Sequence, residues 1–109
     1  MELKNEILGQ LRPSSITAES IFSPSTGQKV ELSHIFITNL SAANIEFSLF
    51  IDNDGSTYDE TTAIAFDTPI QANTTEIVDI SLPMQNSEGN FAVKTSSADD
   101  INFTLIGKR

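Results

Sequence analysis

Asn44-Ile-Glu-Phe-Ser-Leu-Phe-Ile51, Asp52-Asn-Asp-Gly-Ser-Thr-Tyr-Asp-Glu60 and Thr61-Thr-Ala-Ile-Ala-Phe-Asp67 follow one another without a break. The first run alternates, with Ile45, Phe47, Leu49 and Ile51 set against Asn44, Glu46, Ser48 and Phe50. That two-residue period is the pattern of a strand with one buried face. Asp-Gly inside a polar run marks a chain reversal, so the stretch predicts a β-hairpin.

Working outward, the same reading predicts strands over Ile16–Phe22, Lys29–Asn39, Thr74–Leu82, Asn90–Thr95 and Ile101–Ile106. Turn residues separate them: Ser23-Pro-Ser-Thr-Gly27, Leu40-Ser-Ala-Ala43, Thr68 to Asn73 with Pro69, Pro83 to Gly89, and Ser96-Ser-Ala-Asp-Asp100. Pro69 is expected to end the strand before it, because proline cannot donate to a ladder. About seven short strands at this spacing predict an all-β, antiparallel β-sandwich, and both immunoglobulin-like and jelly-roll topologies fit.

Within Lys29–Asn39, Val30, Leu32, His34 and Phe36 share one face, while Ile35 and Ile37 fall on the other. Either the far half of this strand is covered on both faces, or a bulge near Ser33 or His34 shifts the register. The first alternative makes Ile35 and Ile37 candidates for a subunit contact, since an exposed apolar patch usually marks an interface.

Ahead of the strands, Leu3, Ile7, Leu8 and Leu11 are spaced as one helical stripe, with Gly9 and Pro13 limiting any helix to about two turns. The segment either caps its own sandwich or lies as an arm on a neighbouring subunit. The expected organisation is a short N-terminal arm, residues 1–13, and one sandwich domain, residues 14–109.

Composition narrows the function. The 109 residues suit one domain with one core, and 39% are hydrophobic. Fifteen acidic against six basic residues give a net charge of −9 at pH 7, which disfavours nucleic acid and anionic membrane as partners and suits a basic or neutral protein surface. The absence of cysteine removes disulfides and thiolate chemistry. No signal-peptide pattern and no long apolar run occurs, so synthesis in a cytoplasm without secretion is expected.

The acidic loop is the one cluster with metal-like spacing. Asp52, Asp54, Asp59 and Glu60 could offer hard oxygen ligands to calcium, but an EF-hand register anchored on Gly55 puts the first ligand on Phe50. Hairpin-turn chemistry accounts for the same residues more simply. Phe50 and Tyr58 beside that loop are candidates for a sugar-stacking platform in a chain without tryptophan. His34 is the only histidine, no Gly-x-Ser-x-Gly elbow or glycine-rich phosphate loop occurs, and neither enzyme activity nor a cofactor is expected.

Several stretches carry a family resemblance. They are Pro24-Ser-Thr-Gly27 leading through Lys29 to Ile35-Phe-Ile-Thr-Asn39-Leu-Ser41, the Asp-Gly-Ser-Thr-Tyr-Asp-Glu loop, Asp67-Thr-Pro-Ile70-Gln-Ala-Asn73-Thr-Thr75, and Val93-Lys-Thr-Ser-Ser-Ala98 before Ile101-Asn-Phe-Thr-Leu-Ile-Gly107. From about Phe22 to Gly107 the chain resembles small β-sandwich virion proteins of tailed bacteriophages. It departs from their pattern at Pro83 to Asn90. The resemblance implies a structural protein of the virion: a capsid decoration or cement protein bound to the major capsid protein, homotrimeric on lattice axes, or else a neck, tail or fibre-base component. A carbohydrate- or calcium-dependent surface-binding module is the alternative of another class.

Overall fold

The computed structural model describes residues 5–52, 57–84 and 89–108. Among these residues eight strands run in chain order: β1 (Asn5–Leu11), β2 (Glu19–Phe22), β3 (Val30–Asn39), β4 (Ile45–Asp52), β5 (Ala63–Ile70), β6 (Thr75–Met84), β7 (Asn90–Thr95) and β8 (Ile101–Lys108). They form two four-stranded sheets, β1-β8-β3-β6 (sheet I) and β2-β7-β4-β5 (sheet II), all antiparallel.

The pairs β1 with β8, β2 with β7, β3 with β6 and β4 with β5 nest inside one another. Such nesting is what one long hairpin makes when it is rolled up so that alternate pairs fall in opposite sheets. It is the jelly-roll arrangement of an eight-stranded sandwich, which decides between the two topologies left open by strand count.

The core lies between the sheets. Leu32, Ile35 and Ile37 of β3 and Ile101, Phe103 and Leu105 of β8 come from sheet I; Phe47 and Leu49 of β4 and Phe91 and Val93 of β7 come from sheet II. All are essentially inaccessible, and each such side chain contributes roughly 1.5–3 kcal/mol by leaving water. Strand β8 shows the cause most simply, because its burial alternates residue by residue from Ile101 to Lys108.

Two bulges explain where the sequence pattern breaks. In β3 the register shifts between Leu32 and His34 against both neighbours, so Leu32 and Ile35, three apart, both face the core. In β1 it shifts between Ile7 and Gly9, which turns Leu8 and Leu11 inward against the core. Asn5–Leu11 is therefore an edge strand of sheet I and not a separate helical arm. Gly9 sits where β1 passes β2: a Cβ there would come within 2.8 Å of the Ile21 carbonyl oxygen.

The strands also run past their expected ends. Pro69 lies within β5 and Pro83 within β6, which both occupy sheet edges, where proline's missing donor need not break a ladder. One end of the roll is tied by Asn39, whose side chain is buried. Its Nδ2 donates to the carbonyls of Ala43 (2.8 Å), Ile70 (3.2 Å) and Gln71 (3.1 Å), and its Oδ1 accepts from Ser41 N (2.9 Å) and Oγ (2.8 Å). The β3–β4 and β5–β6 connections are thereby fixed to one buried amide.

Candidate interaction surface

The register of sheet I determines what its outer face presents. Ile7 of β1 is across from Ile106 of β8, Ile106 from His34 of β3, and His34 from Asp79 of β6. In the next row Gln10, Thr104, Phe36 and Ile77 lie side by side. Ile7 and Ile77, on opposite edge strands, are 58% and 59% exposed, and Phe36 and Ile106 are half-buried between them. The face has an apolar middle.

This surface corrects the sequence expectation for β3. Ile35 and Ile37 are fully buried in the intersheet core, because the bulge before Ile35 reverses the alternation. The outward position belongs to Phe36. Of the N-terminal candidates, Ile7 is exposed on the face, Leu8 and Leu11 pack on the core, and Leu3 lies outside the described residues. Sequence reasoning missed Phe36, Ile77 and Ile106; the signal for Phe36 was the bulge suggested by Leu32 and Ile35, whereas Ile77 and Ile106 join it only through the strand order of sheet I.

On the outer side of sheet II, Phe50 meets Tyr58 at 6.1 Å and Phe66 at 6.4 Å between ring centroids. The two expected platform residues do come together, but Phe50 is 1% exposed. A covered ring offers no face to a sugar, so Phe50, Tyr58 and Phe66 form a small aromatic cluster with Phe66 as its exposed rim.

The acidic loop is held by turn chemistry where it is described. The buried Asp52 carboxylate accepts from Thr57 N, and Asp59 accepts from Thr61 N (2.8 Å) and Thr61 Oγ1 (2.6 Å). Those Thr61 bonds, the hydroxyl first and the backbone amide second, hold the Asp59 carboxyl below its ordinary value. Glu60 is exposed, and Asp54 lies outside the described residues. Among the described residues no group of three acidic or histidine side chains could hold a metal ion.

Two polar features remain. His34 Nδ1 is 2.7 Å from Asp79 Oδ1 on the outer face of sheet I, the orientation in which a carboxylate steers an imidazole. The neighbouring Ser33 Oγ is buried at the bulge without a hydrogen-bond partner, so it does not complete a nucleophilic arrangement with that ring. A cleft of about 230 Å³ is lined by Ile16, Glu46, Ser48, Asp67, Lys94, Thr95 and Ser96. Its buried Ser48 hydroxyl accepts from Asp67 N at 2.9 Å and supports the β5 bulge, where Asp67 has φ of 45°. The hydroxyls of Thr95 and Ser96 likewise bond to backbone, to Ser97 and to Glu46 N. The cleft's hydroxyls serve the fold.

No family model and no curated protein matches the sequence. Among solved structures, 98% of the chain aligns with a chain of infectious bursal disease virus, Gx strain, at a TM-score of 0.56 and 12% identity. The likeness is one of fold. This chain spans about a third of that one, 32% of its length. The VP2 subviral particle of infectious bursal disease virus aligns at a TM-score of 0.48 and 14% identity over 98% of this chain and 31% of that one. The coat protein of tobacco streak virus aligns at 0.47 and 8% identity over 98% and 86%.

Proposed function

We propose that this chain is a non-enzymatic structural protein of a virion: a capsid decoration, or cement, protein of a tailed bacteriophage that binds the outer surface of the major capsid lattice. The observation that carries the reading is the jelly-roll strand order running through the whole described chain, with 98% of the chain matched in a virus structure at a TM-score of 0.56. The turn and strand motifs between Phe22 and Gly107 support the bacteriophage part. A stabilising role needs a rigid domain, and the buried jelly-roll core supplies one.

In this reading the protein is made in the host cytoplasm and joins the virion as a homo-oligomer, a trimer on lattice symmetry axes. Its net charge of −9 favours neutral or basic patches of the lattice. Repetition over the shell converts weak single contacts into stable attachment. Quantitative mass spectrometry of purified virions tests it: a copy number in fixed proportion to the major capsid protein is expected. A few copies per particle would move the protein to the neck, tail or fibre base, and absence from virions would overturn the virion role.

A further inference from the structure

We propose that the outer face of sheet I is covered by a second copy of this chain. Charge selects the occupant. With a net charge of −9, two copies repel in most orientations. Among the described residues the register places two carboxylates on this face, Glu31 and Asp79. Lys108 is across from Glu31, and His34 lies 2.7 Å from Asp79. The acidic excess therefore lies elsewhere, and on this face two copies can meet without setting carboxylate against carboxylate.

The middle of the face has the composition of an interface core. Ile7, Ile106, Phe36 and Ile77 make up half of its two central rows, with the two most exposed isoleucines at its edges and Asp79 the one carboxylate in those rows. Depletion of charge around aromatic and aliphatic residues is typical of the fully buried part of an interface. Four strands about 4.8 Å apart and about eight residues long give a face of roughly 500 Å². Two such faces together bury on the order of 1,000 Å², the lower bound for a specific interface and above the usual size of a chance contact. A basic partner would be drawn to the acidic remainder of the surface, since this face carries only Glu31 and Asp79 of the fifteen acidic residues. The inference bears on the homo-oligomer of the virion reading but is tested on the chain alone: two like faces meeting make a two-fold pair and not a trimer, so its failure leaves the lattice role standing.

Sedimentation equilibrium of the full chain tests it, using wild type, the double variant Ile7→Glu/Ile77→Glu, and Ile64→Glu on the exposed part of sheet II as control. The wild type is expected at a multiple of 11.9 kDa. The double variant should sediment as a single chain, its dissociation constant raised at least about a hundredfold by charges buried without partners. Ile64→Glu should associate as wild type does. A wild type that stays a single chain up to about 100 μM, or an association that survives the double variant, overturns the proposal. Should the double variant fail to fold, the salt dependence of the wild type decides: added salt screens the −9 repulsion and should tighten association, whereas loosening overturns it.

Discussion

Replacing Asn39 by alanine should cost about 3 kcal/mol of stability, far more than one side chain at a strand end ordinarily carries. The figure follows from the partners. Five hydrogen bonds end on this amide, but Nδ2 has two protons for three carbonyls, so those bonds are shared. The bond to Ile70 O is the buried one; its carbonyl would be orphaned at a cost of roughly 1–3 kcal/mol. Ser41 and the carbonyls of Ala43 and Gln71 are partly open and recover water, leaving about 0.5 kcal/mol each. For a domain this small, about 3 kcal/mol corresponds to a fall in Tm of about 12 °C.

Urea unfolding at neutral pH reads the loss directly as a lower midpoint at unchanged m. Asn39→Asp sharpens the test, since a carboxylate there would face three carbonyl oxygens and no donor but Ser41. The introduced carboxyl should have a folded pKa above its unfolded value of about 3.9. Its extra destabilisation is therefore absent below about pH 3.9, grows as pH rises, and is complete above the raised folded value. A loss below about 1 kcal/mol for Asn39→Ala, or an Asn39→Asp variant as stable as wild type at pH 7, would refute the view that this amide ties the two connections together.

Gly107→Ala should destabilise by about 2–3 kcal/mol, because the added Cβ collides with the Glu31 carbonyl oxygen and lies 2.7 Å from Leu8 Cδ1, where β8 is held between β3 and β1. Thermal unfolding measures this. Ser33→Ala should leave stability unchanged or raise it by up to about 1 kcal/mol, because it removes a buried hydroxyl that has no partner; a clear loss would mean that the hydroxyl is satisfied in solution. For Asp59, the depressed folded pKa makes its contribution present above the ordinary carboxyl value of 3.8 and lost as pH falls through the folded value. Thr61→Val, which removes the first of its two hydrogen bonds, should move the Asp59 carboxyl resonance titration upward, and an unchanged titration would show that the hydroxyl is not its partner.

Much of the fold is legible in the sequence, and the exceptions share a cause. Strands β4, β7 and β8 read correctly because unbroken alternation maps onto one buried face, as in Phe47 and Leu49 or Ile101, Phe103 and Leu105. Strand β1 reads as a helix because its bulge puts Leu8 and Leu11 on one side at a spacing of three, which a two-residue period forbids and a helical one demands. Gly9 carried the correct meaning, a close approach of backbone, but looks the same as a helix breaker until β2 is placed beside it. In β3 the same device made Ile35 and Ile37 look outward when they are core.

The candidate surface was legible only in part, for a related reason. Ile7 was identified, whereas Phe36, Ile77 and Ile106 become one patch only when β1, β8, β3 and β6 are set side by side, and that order joins residues from both ends of the chain. At Asp59 the hairpin loop carries hydrogen bonds of the kind that its turn residues suggest in the sequence. Phe50 misled because its outward position on β4 is roofed by Tyr58 and Phe66, which no period in the sequence displays.

The central claim is that this jelly roll acts by adhering to a virion shell, and the measurement that tests it most directly is binding of the purified protein to expanded, undecorated capsids of its own phage. Co-sedimentation should saturate at a fixed number of chains per major capsid protein, with density distributed over the outer surface in images of the same particles. No binding to such capsids, at concentrations where the protein is folded, would contradict it.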